Sequence, residues 1–331
     1  MNTWTKIILV AFITTILVIS GTIIYYRYFL KRSLIISTTT SLYDTGLLEM
    51  LEKEFEAAHQ VDIRIISAGT GIAIQHAEKG DADVILVHSP SMEKTFLEEG
   101  VGVCRKIIAY NFFVIVGPAS DPAKINGTDA ITALKRIVDY GRNQTDRIWI
   151  SRGDNSGTHS KEQSLWKTAG YNYATLSKES WYASAGSGMG ATLVMTEQFS
   201  AYTLADTGTY LAYYKAGTIS LKPLISQGKD LLNVYSVIAV VPSLPANKTI
   251  HEEINFRDTI DFIKYLVSDD GQQIIENYGK AQYGESLFYG AVKLLAQDST
   301  SGIAQWIREY AFFNGTECPP EYRYNQNDLY G

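Results

Sequence analysis

The longest apolar stretch of the chain lies near its start. From Ile7 to Tyr26, 20 residues pass without a charged side chain. A helix rises about 1.5 Å per residue, so a run of this length spans a hydrocarbon core about 30 Å thick. Lys6 precedes the run, and Arg27, Lys31 and Arg32 follow it. Tyr25, Tyr26, Arg27 and Tyr28 close it without the small residues of a signal-peptidase site. The pattern therefore predicts an uncleaved anchor in residues 1–32, with a transmembrane helix over about 7–26. The basic flanks do not decide its orientation, which rests on what the remainder of the chain does.

Beyond the anchor, short apolar runs alternate with amphipathic stretches, the signature of an α/β protein. Strands are expected over 34–37, 61–67 and 84–87. Helices are expected over 46–58, 72–79 and 92–98, the first with Leu47, Leu48, Leu51 and Phe55 on one face. Two consecutive βαβ crossovers predict a parallel, doubly wound sheet. Two later runs resemble each other: NFFVIVGP at 111–118 and NVYSVIAVVP at 233–242. Each ends at a proline, which cannot continue a central strand. Such a pair suits a two-strand hinge, where the chain leaves one lobe for a second and returns. Lobe I is expected at 33–114 and 238–331, and lobe II at 115–237.

With 331 residues, 46% hydrophobic and 19% charged, the chain has ample material for a core. Its net charge of −6 argues against a nucleic-acid partner. An anion would have to be held by local geometry. Cys104 and Cys318 lack metal-ligand spacing; in an oxidising compartment they could pair or remain free. Sequons at Asn126, Asn143, Asn247 and Asn314 fall in loop-like stretches, which suits an extracytoplasmic chain.

Four segments place glycine or hydroxyl residues between a strand-like run and a helix-like one: STTTS at 37–41, SAGTG at 67–71, SRGDNSGT at 151–158 and AGSGMG at 185–190. Each should lie at the carboxyl edge of a strand, where open α/β sheets bind ligands. The free N–H groups of a helix's first turn favour an anion there, and glycine lets the backbone approach it. Any one of these loops reads as an ordinary N-cap. Four of them, two in each expected lobe, describe a cleft lined by donors from both sides. Arg152 is the one cation among them; its fork of donors suits a dianion, while a salt bridge to Asp154 is the competing role. Asp44 and Asp154 also lie near the loops, and an acceptor carboxylate would suit hydrogen phosphate. Ser156 and His159, one helical turn apart, raise an alternative of another class, an extracellular hydrolase, but no Gly-x-Ser-x-Gly elbow accompanies them. No phosphate-binding P-loop is present, GSGMG lacks dinucleotide spacing, and His59, His76, His88 and His251 are too scattered to ligate a metal.

Taken together in order, TTTS at 38–41, GTG at 69–71, GDADV at 80–84 leading to His88, SRGDNSGTH at 151–159, GMGAT at 188–192 and YTLADTGTY at 202–210 closely resemble the tungstate-binding proteins of ABC-type importers. The resemblance runs from about residue 34 to 242. It implies a type II periplasmic-binding-protein fold with an oxyanion between two lobes, no covalent chemistry, and neither cofactor nor metal cation. By that resemblance Thr39, Thr40, Ser41 and Thr70 contact the ligand from lobe I. Arg152, Ser156, Gly157, Thr158 and Gly188 do so from lobe II. The implied partners are an ABC permease with its cytoplasmic ATPase, and the implied location is the cell membrane with the soluble part outside. Phosphate or molybdate receptors are the alternatives within the same class. The chain departs from most of the family in its anchor, its longer 242–256 segment and its Cys318-Pro-Pro tail.

Overall fold

A computed structural model describes residues 3–5, 12–21, 32–226, 228–243, 254–297 and 301–330. Of the expected anchor, residues 12–21 are described; they are helical and exposed, and the rest of 7–26 lies outside the described residues. Among the described residues no helix is long and apolar enough to cross a membrane.

The chain begins with β1 (Arg32–Thr39), a short helical turn over Thr40–Tyr43, and α1 (Leu47–Ala58). There follow β2 (Val61–Ala68), α2 (Thr70–Lys79), β3 (Val84–Val87) and α3 (Pro90–Glu98). Both α2 and α3 start two residues earlier than expected. Gly69 and Ser89 take the N-cap positions, and Pro90, preset for helical φ, occupies the first turn. β1 pairs in parallel with β2 on one side and β3 on the other.

β4 (Gly102–Gly117) is the longest strand and belongs to two neighbourhoods. Up to Phe112 it pairs with β9 (Leu232–Val240); from Phe113 it pairs with β7 (Thr203–Asp206), and from Ile115 also with β8 (Lys222–Ile225). The sheet order is β10-β4-β9-β3-β1-β2, with β10 at Tyr289–Gly290. The parallel pairing expected from sequence holds for β1, β2 and β3, while the sheet as a whole is mixed. β9 lies between β3 and β4 and runs antiparallel to both, because it brings the chain back along β4.

Between β4 and β9 lie α4 (Ala130–Gly141), β5 (Trp149–Ser151), α5 (Gly157–Thr168), β6 (Tyr182–Ser184), α6 (Met189–Phe199) and α7 (Thr207–Lys215). β5 and β6 pair in parallel, and a bridge from Trp149 to Tyr202 joins them to the strand run of β7. Trp149, Trp166, Trp181, Ile137 and Phe113 make the core here, whereas Leu34, Phe55, Leu86, Val237 and Phe262 pack the core around β1 and β3. Phe262 comes from α8 (Phe256–Val267). Glu162 holds the first of these cores in place: its carboxylate accepts from both indole N–H groups of Trp149 and Trp166 and from the hydroxyls of Ser151 and Tyr182.

After residue 311 the chain closes as an arm across the β4 bulge at Cys104 and Arg105. The Glu317 carboxylate takes Lys106 Nζ at 2.5 Å and the Ile107 N–H at 3.0 Å. Arg105 is fully buried, pairs with Glu93 at 2.7 Å and donates to the Glu317 carbonyl at 2.6 Å. Cys104 and Cys318 are free and buried, and burial pushes the Cys104 thiol up to about 12.

Candidate functional site

All four loops singled out from sequence sit at carboxyl ends of strands: β1, β2, β5 and β6. Thr39 caps the turn after β1, its hydroxyl accepting from the Leu42 N–H at 3.3 Å. Thr40 follows, and its hydroxyl accepts from Arg152 Nη2. Ser41 lies in the same turn, with its side chain outside the described residues. Thr70 opens α2 fully buried, and its hydroxyl has no hydrogen-bond partner among the described residues.

Opposite them, Ser156 caps α5 by accepting from the His159 N–H at 3.2 Å. Thr158 is buried one residue into the helix, and its hydroxyl too has no partner among the described residues. Gly188 caps α6 with backbone alone, and a Cβ there would meet nothing within 4 Å. The 185–190 loop is tied to the 151–158 loop by Ala185 N–H to the Ser151 carbonyl at 2.8 Å. Gly153 permits that packing: its φ is +66°, and a Cβ would lie 1.7 Å from Ser184 Oγ.

Arg152 is 1% exposed and makes the salt bridge to Asp154 that sequence offered as its competing role. Nε donates to Asp154 Oδ2 at 2.8 Å, Nη2 crosses to Thr40, and Nη1 is buried with no partner among the described residues. Asp154 in turn takes the Ser156 N–H at 3.1 Å, so the salt bridge fixes the guanidinium and the cap together. Thr70 Oγ1, Thr158 Oγ1 and Arg152 Nη1 thus form a set of buried donors contributed from both sides of the β4 crossing. A buried donor left unpaired costs about 1–3 kcal/mol, which a bound anion would recover.

The two sides touch. A Cβ on Gly157 would fall 2.7–2.9 Å from three atoms of the His88 ring, and one on Gly69 would fall 3.6 Å from the Asp154 carbonyl. His88, just past the end of β3, is a buried structural histidine with its ring partnered. It stacks on Tyr235 with centroids 4.9 Å apart and pairs through Nδ1 with Asn233 Oδ1 at 2.9 Å. Asn233 donates onward to Asn111 at 2.9 Å and to the Tyr235 hydroxyl at 2.8 Å. Asn111 and Asn233 face each other across β4 and β9, and are the first residues of the two similar runs noted above. Burial pulls the His88 imidazole down to about 4, with the Arg152 charge adding to the effect. It is therefore neutral at neutral pH. Burial also raises the Asp44 carboxyl, while Arg152 pulls it back.

Two further buried groups were missed: Asp206, at the end of β7, and Thr209, in the first turn of α7. Both lie in the YTLADTGTY motif, where Asp206 reads as a plain N-cap. It does cap the Thr209 N–H at 2.8 Å, but its other oxygen, Oδ2, and the Thr209 hydroxyl are buried without a partner among the described residues.

The arrangement gives no support to a hydrolase. Ser156 Oγ caps the His159 backbone, while the His159 ring takes the Asn155 N–H on Nδ1 at 3.0 Å and meets the Tyr173 hydroxyl with Nε2 at 2.7 Å. A nucleophile–base pair needs the ring on the serine hydroxyl.

A PBP superfamily domain matches residues 30–270. The tungstate-binding protein TupA of Peptoclostridium acidaminophilum is 39% identical over 261 residues, 78% of this chain and 85% of that protein. TupA of Campylobacter jejuni is 36% identical over 238 residues, 71% of this chain and 83% of its own length. Among solved structures, the tungstate-binding protein TupA of Desulfovibrio alaskensis G20 matches with 35% identity and a TM-score of 0.65, covering 78% of this chain and 98% of that one. The tungstate ABC transporter structure from Geobacter sulfurreducens matches with 40% identity and a TM-score of 0.64, covering 74% and 98%. The chain belongs to the PBP superfamily and, within it, to the family of the TupA tungstate-binding proteins.

Proposed function

We propose that this protein captures tungstate between two lobes outside the cytoplasm and delivers it to an ABC permease driven by a cytoplasmic ATPase. The observation that carries the reading is the set of unpaired buried donors, Thr70 Oγ1 on one side and Arg152 Nη1 and Thr158 Oγ1 on the other. A ligand bonded to both sides is held better closed than open, and that difference is what drives closure. Thr39, Thr40, Ser41, Ser156, Gly157 and Gly188 complete the proposed contact set, through hydroxyls and helix-terminal N–H groups. The lobes are proposed at 33–114 with 238–331, and 115–237. The change of β4 partner at Phe112–Phe113 and the pairing of Phe112 with Leu232 favour a return crossing at Leu232, slightly earlier than 238. The uncharged run at 7–26 is proposed as the tether, supported by the exposed Phe12, Leu17 and Val18 side chains. Release of the protein from membranes by alkaline carbonate would refute the tether.

Calorimetric titration of the full chain in detergent with tungstate, molybdate, phosphate and sulfate tests the ligand. Tungstate is expected to bind tightly and phosphate weakly. Tight phosphate binding with none for tungstate would overturn the reading.

A further inference from the structure

Thr70, Thr158 and Arg152 supply donors, as a fully ionised tetrahedral dianion requires. Asp206 breaks the pattern. Its carboxyl is fully buried, Oδ1 is occupied by the Thr209 N–H at 2.8 Å, and Oδ2 has no partner. It lies beside the contact between the two sides: Asp206 pairs with Phe113 of β4, whose ring centroid is 6.2 Å from that of His88, the ring that Gly157 meets from the other side. The charged and titratable groups acting on it are Arg152, from the loop after β5, and Tyr235, from β9. Arg152 is already paired with Asp154. An ionised Asp206 would place a second negative charge beside the dianion in a buried site, which is unfavourable.

Resting on the oxyanion reading above, we propose that Asp206 is a specificity-determining residue of the site that carries a proton when the anion is bound, so that Oδ2 donates to the ligand. The proton comes from solvent and is returned on release, and no covalent bond of the anion changes. Burial already pushes this carboxyl up from its usual range; the Thr209 amide and the Arg152 charge oppose that shift, and a nearby dianion would add to it. Such a site favours an ion that brings no proton of its own. An ion that does carry one would compete for the single position where a proton is wanted.

The test is calorimetry of the full chain with sodium tungstate, in pairs of buffers of differing ionisation enthalpy, from neutral to alkaline pH, for wild type and D206N. Asparagine keeps the N-cap and presents an N–H where the protonated acid presents an O–H. Wild type is expected to take up as much as one proton per tungstate, its Kd rising up to about tenfold per pH unit on the alkaline side. D206N is expected to bind within about tenfold of the best wild-type value, with a flat pH profile and no proton uptake. Wild-type binding without uptake at any pH, equal slopes in the two proteins, or a larger loss in D206N would overturn the proposal. The wild-type proton count decides even if the variant fails to fold. If wild type binds phosphate but not tungstate, the tungstate reading fails first and this inference with it.

Discussion

Replacing Gly157 by alanine separates ligand capture from folding. Gly157 opens α5, and the new methyl carbon would lie 2.7–2.9 Å from three ring atoms of His88. Carbon contacts settle at about 3.5 Å or more, so the two sides must part by about 0.8 Å. The ring has little freedom to yield, because Asn233 holds Nδ1 at 2.9 Å and Tyr235 stacks against its face. A displacement of that size takes cross-cleft hydrogen bonds to a bound anion out of range, and each charge-assisted bond is worth about 1.5–3 kcal/mol. Loss of one such bond weakens tungstate binding by about tenfold or more. Folding should move the other way, since alanine is a better helix former than glycine by up to about 1 kcal/mol. Calorimetry and ligand-free urea unfolding measure the two quantities. An unchanged Kd would refute the placement of Gly157 at the contact between the two sides, and a large loss of ligand-free stability would show that the methyl group disrupts the fold instead.

Other expectations follow from the same geometry. Thr70→Val and Thr158→Val each remove a buried unpaired hydroxyl, so ligand-free melting temperature should hold or rise while tungstate affinity drops about tenfold; equal affinity would place these hydroxyls outside the site. Arg105→Ala strands the fully buried Glu93 carboxylate and should cost about 3–5 kcal/mol in urea unfolding, whereas a loss well under 1 kcal/mol would show that the pair is replaceable. His88 has its folded value depressed to about 4, so the unfolded chain protonates first. Its share of stability, about 3 kcal/mol, is complete above the ordinary histidine value and disappears as pH falls toward 4. Wild type should therefore lose more stability than His88→Gln on acidification, and equal losses would contradict the burial argument.

The helix caps were legible because capping and anion binding use the same residues, glycine and hydroxyls at strand ends. Thr39, Ser156 and Gly188 stand where the sequence put them. Helix starts were read late, since Thr70 and Pro90 look like loop residues until their neighbours are seen as caps. The direction of β9 could not be read, because an apolar run looks the same whichever way its strand lies. The likeness of 111–118 and 233–242 was visible. That Asn111 and Asn233 bond to each other required the pairing register. The partners of His88 could not be read, since Asn233, Tyr235 and Gly157 are all distant in the chain. The adjacency of Ser156 and His159 was legible, but whether the serine meets the ring or the backbone was not.

The place of β9 also sets an order of assembly. β3 ends at Val87 and β4 at Gly117, yet the strand that separates them does not begin until Leu232. A chain emerging from the ribosome therefore presents two unpaired central edges that cannot be joined until the intervening lobe has been made. Such edges invite pairing with other chains, and long-range pairings form slowly. Glu317, which grips Lys106 and Ile107, arrives later still and locks the β4 bulge only once the arm is complete. Truncations that spare every ligand contact but remove this arm should therefore yield protein that aggregates during synthesis.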